Sequence, residues 1–260
     1  MSQIHPSAVI AETAKIGADC VIGPFCLVGA DVVLGDRVTL KSHVVVDGDT
    51  LVGDDTTIFP FAVIGEIPQD LKFDGEKSRL RIGARNRIRE HVTMNTGTTN
   101  GGGETRIGDD GLFMAGCHIA HDAQVGNRVI VVNSSAIAGH CILEDDVIVG
   151  GLSGVHQFVR IGQGAIIGAV TMVTKDVVPH GLVQGPRGAL DGLNLVGLKR
   201  KGVSRTDITA LRAAFQMLKD GEGTFQDRAH RLGEESDSPY VQEMVAFIFG
   251  ETDRNFLTPG

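Results

Sequence analysis

The 260-residue sequence contains no tryptophan, a single tyrosine and only eight prolines. Collagen-like and proline-rich extended structures are therefore excluded. No run of about 18 consecutive apolar residues occurs, so no transmembrane helix is predicted. The first residues lack the basic and apolar regions of a secretion signal, and we expect a cytoplasmic protein whose four cysteines are reduced thiols. The net charge of −8 argues against a general nucleic-acid-binding protein.

Glycine and aliphatic residues are what the chain has in abundance. It contains 35 glycines, and 42% of its residues are hydrophobic, which is enough to form a folded core. Glycine permits tight turns, so a chain rich in glycine and poor in aromatic rings suits a fold made of many similar turns.

An aliphatic residue recurs at every sixth position. The repeat runs from Ile4 to Ile64, resumes from Ile82 to Met94, and continues from Ile107 to Val173. Of these 26 positions, 24 are Ile, Leu or Val. The next residue is often glycine, and the residue four positions on is usually small or β-branched. Such a period predicts a solenoid in which each repeat buries its apolar face against its neighbours.

The physical interpretation is a parallel β-helix of triangular coils. Three hexads form one coil of 18 residues, and successive coils stack about 4.8 Å apart, the spacing of hydrogen-bonded strands. All four cysteines occupy the small inward position of a hexad. We therefore interpret them as core residues rather than as metal ligands or disulfide partners. They are Cys20, Cys26, Cys117 and Cys141.

The repeat is interrupted twice and then ends. Residues 66–81 and 95–106 are predicted loops projecting from the solenoid, and such loops often bind ligands. We expect a β-helix over 1–180, a connector over 181–203 and a small helical domain over 204–260. Its first helix is predicted over 204–219, with Ser204 and Asp207 as a capping box. A second helix is predicted over 225–232, and a third from a Ser238 cap to Gly250.

Polar residues gather where the coils should form one ridge. The 18-residue coil predicts that Asp122 stacks on His140, and that His121 aligns with Gly139 and Gln157. His118 and His156 fall beside the same ridge, and none of these residues occupies an inward position. Imidazole titrates near neutrality and is suited to be a general base. Zinc held by three histidines is the chemical alternative.

Distinctive short segments occur along nearly the whole chain, first at residues 118–122, 138–140, 155–158 and 197–202. Others lie at residues 23–25, 40–46, 64–66, 69–72, 85–90 and 101–103. In these segments the chain resembles the acyl-[acyl-carrier-protein]–UDP-N-acetylglucosamine O-acyltransferase family, which begins lipid A synthesis.

This resemblance implies a mainly β fold, a left-handed parallel β-helix with a small C-terminal α-helical domain, assembled as a homotrimer with active sites between subunits. It implies transfer of a 3-hydroxyacyl group from acyl carrier protein to the 3-hydroxyl of UDP-N-acetylglucosamine, without a cofactor or metal. His121 matches the general base, Asp122 its supporting carboxylate, and the N–H of Gly139 the oxyanion donor. Substrate-binding positions are matched by Gln69, Asp70, Lys72, His118, His140, His156, Gln157, Asn194 and Arg200.

Several positions depart from the family pattern. Ala169 occupies the position that limits acyl length, and because alanine is larger than glycine we expect a modestly shorter acyl group. Lys201 stands where a second arginine is common, and Val196 where an acidic residue is frequent. Residues 95–98 read Asn-Thr-Gly-Thr in place of a His-Arg-Gly-Thr pattern.

Other functions remain open at this stage. Some relatives accept a 3-amino sugar and form an amide. A related N-acyltransferase acts on a UDP-amino-sugar later in the pathway, but that family usually carries an additional N-terminal domain. A γ-type zinc carbonic anhydrase would use three histidines converging across a subunit interface, and bound zinc would support it. A non-catalytic scaffold would leave the polar ridge unexplained. For an acidic carrier protein, the candidate docking patches are arginines 79, 81, 85, 87 and 89, and basic residues 199–201 with 205.

Overall fold

The computed structural model describes residues 1–259, and Gly260, the last residue of the predicted helical domain, lies outside them. Short strands, numbered in chain order, visit three faces of a prism in turn. The first face contains β1 (Gln3–Ile4), β4 (Val21–Ile22), β7 (Thr39–Leu40), β10 (Thr57–Ile58), β13 (Arg87–Ile88), β16 (Leu112–Phe113), β19 (Ile130–Val131), β22 (Ile148–Val149), β25 (Ile166–Ile167), β27 (Gly181–Gln184) and β28 (Ala189–Leu193).

The other two faces are built in the same way. The second face contains β2 (Val9–Ile10), β5 (Leu27–Val28), β8 (Val45–Val46), β11 (Val63–Glu66), β14 (Thr93–Asn95), β17 (His118–Ile119), β20 (Ala136–Ile137), β23 (Gly154–Val155) and β26 (Met172–Val173). The third contains β3 (Lys15–Ile16), β6 (Val33–Leu34), β9 (Asp49–Val52), β12 (Arg79–Ile82), β15 (Glu104–Ile107), β18 (Gln124–Val125), β21 (Ile142–Leu143) and β24 (Arg160–Ile161). The predicted left-handed parallel β-helix is confirmed.

Strand pairing confirms the 18-residue coil. On the second face His118 pairs in parallel with Ala136, Ala136 with Gly154, and Gly154 with Met172. The separation rises to 30 residues between Ile58 and Ile88, because residues 67–78 loop out between β11 and β12. A second loop, residues 96–103, leaves between β14 and β15. Both predicted interruptions are therefore present, and each is shorter than the range expected.

The core is the column of inward aliphatic side chains. Ile58, Ile88 and Ile137 are fully buried, as are the four cysteines, whose sulfur atoms are free. Burial raises the pKa of the Cys117 and Cys141 thiols to about 12, which makes them poor nucleophiles. The first coil differs, since Ile4 is 48% exposed. A terminal coil has a neighbour on one side only.

Four helices follow: α1 (Leu195–Arg200), α2 (Arg205–Asp220), α3 (Phe225–Glu235) and α4 (Pro239–Phe249). Ser204 caps α2 by accepting a hydrogen bond from the Asp207 N–H, as predicted. The reciprocal half of the predicted capping box is replaced, because the Ser204 hydroxyl donates to the Asp207 carboxylate. The α3 helix runs three residues beyond the predicted end at Leu232, to Glu235.

Residues 181–203, treated above as a connector, contain regular structure. The β27 strand pairs in parallel with β25, so the stacking of coils continues past residue 180. The chain then reverses into the antiparallel β28 strand and enters α1. No helix within residues 1–259 is long and apolar enough to cross a bilayer.

The turns between faces form three corners, which we name by the left-handed residues that stack along them. Most of these residues are not glycine, although the conformation costs about 1–2 kcal/mol for an L-residue. The first corner, between the first and second faces, contains Phe25, His43, Phe61, His91, Gly116, Ser134, Leu152 and Val170. The second corner contains Asp122, His140 and Phe158. The third corner contains Asp19, Arg37, Asp55, Arg85, Asp110, Arg128, Asp146, Gly164 and His180.

Candidate active site

A histidine and a carboxylate meet at the second corner, in the turn between β17 and β18. The His121 Nδ1 atom lies 2.8 Å from the Asp122 Oδ2 atom. The Asp122 side chain is 1% exposed and that of His121 is 13% exposed. The carboxylate is thus enclosed, and the imidazole keeps an edge toward solvent.

The second loop surrounds Asp122. The Thr98 N–H donates to Oδ1 at 2.8 Å, and the Thr98 hydroxyl donates to Oδ2 at 2.7 Å. A Cβ atom on Gly101 would overlap the carboxylate, and one on Gly97 would lie 2.8 Å from Oδ1. The glycines of this loop therefore let the backbone approach the buried acid closely.

These contacts determine the tautomer of His121. An ionised carboxylate only accepts hydrogen bonds, so the ring proton lies on Nδ1 and the Nε2 lone pair is free. A neutral imidazole oriented in this way by a carboxylate can remove a proton from a hydroxyl group.

Gly139 lies beside the imidazole, one coil beyond it. A Cβ atom at this position would lie 2.6 Å from Cε1 and 2.7 Å from Nε2 of His121. Glycine is needed here for space, since its φ is not in the left-handed region. Among residues 1–259 the Gly139 N–H has no hydrogen-bond acceptor. A free backbone donor beside a general base is the arrangement that stabilises an oxyanion.

The predicted stack continues along the corner. The His140 Nδ1 atom lies 3.8 Å from Asp122 Oδ2, and the His140 ring stacks on Phe158 with centroids 4.4 Å apart. Burial lowers the pKa of His140, and nearby His121 lowers it further, although the carboxylates of Asp122, Asp70 and Asp253 oppose this effect. The His140 ring is accordingly expected to be neutral at pH 7.

His118 projects from β17 on the adjacent face. Its Nδ1 atom lies 2.7 Å from the Thr93 hydroxyl oxygen. Burial, and then the charge of His121, lower the pKa of His118. The ring therefore favours the neutral form, in which it hydrogen-bonds without adding charge.

Several of the remaining predicted positions lie near the second corner or on the first loop. His156 and Gln157 lie one coil beyond Gly139 and contact Arg254. Asp70 is near enough to influence the pKa of His140, and it also accepts a hydrogen bond from the Lys72 N–H. Gln69 and Lys72 are exposed on the first loop.

Three predicted positions are not brought to the second corner. Asn194 caps α1 at the third corner, where its side chain donates to the Gly164 carbonyl oxygen. Asn194 and Arg200 line a cavity of about 180 Å³ there, together with Lys201, which pairs with Asp146. Ala169 is exposed on the turn at the first corner. One chain therefore distributes the predicted site over three corners.

A metal site is the chemical alternative at the second corner. His121, Asp122 and His140 offer ligand atoms within 4.8 Å of one another. Both carboxylate oxygens of Asp122 already accept hydrogen bonds from Thr98. The His121 nitrogen nearest to them, Nδ1, donates to the same carboxylate. A third histidine, His118, is bonded to Thr93. The donor set thus fits hydrogen bonding better than it fits zinc.

Comparisons with known proteins show the family to which the chain belongs. The sequence profile described as UDP N-acetylglucosamine O-acyltransferase, domain 2, matches residues 176–256, and the bacterial transferase hexapeptide profile matches residues 13–48. An acyl-[acyl-carrier-protein]–UDP-N-acetylglucosamine O-acyltransferase from Paracoccus denitrificans is 69% identical over 202 residues, which are 78% of this chain and 77% of the relative. The Rhizobium johnstonii protein of that name is 45% identical over 99% of this chain and 95% of its own length.

The chain belongs to the UDP-N-acetylglucosamine O-acyltransferase family.

Solved structures of this family have the same fold. The UDP-N-acetylglucosamine acyltransferase from Campylobacter jejuni superimposes with a TM-score of 0.92 at 40% identity, covering 98% of this chain and 99% of its own. The Acinetobacter baumannii structure gives 0.94 at 36% identity, with the same coverage of both chains. Membership of the acyltransferase family disfavours the carbonic anhydrase and scaffold alternatives.

The candidate site also includes residues that the sequence analysis missed. Phe158 lies 18 residues after His140, so the coil length could have found it. Thr98, which donates hydrogen bonds to Asp122, lies in the second loop, where residues 95–98 depart from the family pattern. The spacing of the sequence did not predict this contact. Arg254 lies 98 residues from His156, and no periodicity relates the two.

Proposed function

We propose that this chain transfers a 3-hydroxyacyl group from acyl carrier protein to the 3-hydroxyl of UDP-N-acetylglucosamine, the first step of lipid A synthesis. The observation that supports it best is the buried His121–Asp122 pair beside the free N–H of Gly139, in a chain of this family. Since lipid A synthesis begins on cytoplasmic substrates, we infer a cytoplasmic location.

The reaction uses His121 as base and then as acid. Its Nε2 atom accepts the proton of the sugar 3-hydroxyl while that oxygen attacks the thioester carbonyl carbon. The tetrahedral oxyanion accepts a hydrogen bond from the Gly139 N–H, and such a donor contributes about 2.7–4 kcal/mol where it has been measured. The carbon–sulfur bond then breaks, and the proton on Nε2 passes to the sulfur of the released carrier thiol. Asp122 supports the imidazolium between these steps.

The substrate would be held by polar and charged groups around this pair. We assign sugar-nucleotide contacts to Asp70, His118, His140, His156 and Gln157. Gln69 and Lys72, on the exposed first loop, would reach the sugar and the thioester.

A second copy of the chain is needed to complete the site. Asn194 and Arg200, assigned to the nucleotide, and Ala169, assigned to the acyl end, lie at other corners of the same prism. A homotrimer with sites between subunits would bring the second corner of one copy against the other corners of the next. Ala169 would then limit the acyl group to a modestly shorter chain than glycine allows.

Docking of the acidic carrier protein is better supported at the α1 end than at the arginine-rich strands. Of the five arginines, four are each paired with a carboxylate of this chain, and Arg87 is not paired within residues 1–259. The paired ones are Arg79, Arg81, Arg85 and Arg89. Within residues 1–259, Lys199, Arg200 and Arg205 have no carboxylate within 4.0 Å. Unpaired cations leave a positive local field that attracts an acidic partner.

The test is transfer by the purified protein from 3-hydroxyacyl carrier proteins of several chain lengths to UDP-N-acetylglucosamine. His121→Ala should lower kcat about 10²–10⁴-fold, because the general base is removed, while circular dichroism shows a folded chain. His230→Ala is the matched control, since that imidazole is exposed on α3.

Failure of the wild-type protein to acylate this sugar nucleotide, with transfer to a 3-amino sugar instead, would overturn the proposed acceptor. An unaffected His121→Ala variant would overturn the assignment of the base.

A further inference from the structure

The C-terminal segment after α4 returns to the second corner, where Asp176 anchors it. The buried Asp176 N–H donates to the Asn255 carbonyl oxygen at 2.9 Å, and the Leu257 N–H donates to the Asp176 carbonyl oxygen at 2.8 Å. The Asp176 carboxylate accepts hydrogen bonds from Thr252 at 2.6 Å and from Arg160 at 2.8 Å. These contacts hold the segment without using the side chain of Arg254.

The guanidinium of Arg254 is directed at two predicted substrate-binding residues. Its Nη2 atom lies 2.8 Å from His156 Nδ1, and its Nε atom donates to the Gln157 carbonyl oxygen at 3.1 Å. Arginine carries five N–H donors, accepts no hydrogen bond and stays charged in proteins. A hydrogen bond between these two nitrogen atoms is therefore one that His156 Nδ1 accepts. It is shorter than the 3.3 Å contact between Nδ1 and the Gln157 carbonyl oxygen, to which Nδ1 would have to donate.

This contact has a consequence for the other ring nitrogen. When Nδ1 of a neutral imidazole accepts, the ring proton must lie on Nε2, which then donates. His156 is exposed, and it lies on the ridge that carries His140 and Gly139. The arrangement is the opposite of that at His121, whose Nδ1 donates to a carboxylate.

We propose that Arg254 is a positioning residue, which holds His156 as the Nε2–H tautomer so that this ring presents a donor to an acceptor oxygen of the sugar nucleotide. The tautomer follows from the contact with Arg254 alone, whereas the binding role rests on the proposed function. On this ridge His121 would then accept a proton, and His156 would donate a hydrogen bond. The tautomer of each ring would be set by the charged group that contacts its Nδ1 atom.

The tautomer can be measured directly in the full-length protein. Ring ¹⁵N chemical shifts of His156, assigned by their loss in His156→Gln, should show a protonated Nε2 and an unprotonated Nδ1 at mildly alkaline pH. In Arg254→Met the ring should populate both tautomers, because the guanidinium donor is gone. Arg254→Lys should restore the Nε2–H form in part, since an ammonium group also donates and cannot accept.

Kinetics test the binding role separately. Loss of one oriented donor should raise KM for UDP-N-acetylglucosamine about threefold to tenfold in Arg254→Met, with a smaller change in kcat. Arg254→Lys should lie between this variant and the wild type. Arg187→Met is the matched control, because Arg187 is exposed on the turn between β27 and β28.

The outcomes are distinguishable. A wild-type His156 protonated on Nδ1, or ring shifts unchanged in a folded Arg254→Met, would overturn the positioning role whatever the activity. Altered ring shifts with an unchanged KM would overturn the binding role and leave the tautomer in place. Absence of sugar-nucleotide acylation by the wild type would refute the proposed function without altering the ring shifts. If Arg254→Met unfolds, the wild-type and Arg254→Lys spectra still decide the tautomer.

Discussion

The second and third corners share a backbone but differ in chemistry. At the third corner the left-handed positions alternate in sign, and ion pairs at 2.7 Å join Arg37 to Asp55, Arg85 to Asp110 and Arg128 to Asp146 in successive coils. At the second corner the equivalent positions carry Asp122, His140 and Phe158. The repeat determines which residues stack, and the side chains alone decide what the stack does.

The two corners also differ in their exposure to solvent, and therefore in the effect of their charges. The Arg37–Asp55 and Arg85–Asp110 pairs of the third corner are exposed, and exposed ion pairs contribute little to stability because water screens them. Asp122 is buried and faces an imidazole and a threonine, with no arginine or lysine paired to it in residues 1–259. A buried carboxylate that is not neutralised by a fixed cation is available to stabilise an imidazolium.

The largest expected effect is on kcat, and it should distinguish a carboxylate of the second corner from one of the third corner. Asp122→Asn should lower kcat about 10²–10⁴-fold, because the amide no longer requires the proton of His121 to lie on Nδ1. Asp110→Asn at the third corner should leave kcat unchanged. Steady-state kinetics of the two purified variants provide the measurement. Equal losses of kcat would show that the corners do not differ in the way described.

A smaller effect is expected from the glycine beside the base. Gly139→Ala should lower kcat about 10²-fold, because the new methyl group displaces the His121 ring by roughly 1 Å. Gly192→Ala is the control, since a Cβ there meets no atom within 4 Å. Thermal unfolding should be nearly unchanged in both variants. Full activity in Gly139→Ala would mean that the ring has room to move.

The smallest effect concerns acid stability of the third corner. The hydrogen bond from Arg37 holds the pKa of Asp55 below its ordinary value of 3.8. A lowered folded-state pKa contributes stability that is present above the ordinary value and is lost as pH falls through the lowered value. Urea unfolding of Asp55→Asn should therefore differ slightly from wild type at neutral pH and converge with it in acid. A difference that grows on acidification would contradict this sign.

Much of the fold followed from the sequence because a solenoid is locally determined. Ile58, Ile88 and Ile137 are buried where the hexad period put them, since every coil repeats one packing arrangement. The stacking of Asp122 on His140 followed from the 18-residue coil for the same reason. The start of α2 at its Ser204 cap was also predictable from the sequence, because a cap is a contact within four residues.

Contacts that do not follow the hexad period could not be predicted from the sequence. The bonds of Thr98 to Asp122 and of Arg254 to His156 join a loop and the C-terminal segment to the prism, and no repeat relates their positions. The hexad period alone was enough to predict the prism, its corners and the residues along them. The tautomer of His156 depends on Arg254, which folding brings from 98 residues away. Asp122, which sets the tautomer of His121, is itself held by Thr98 from 24 residues away.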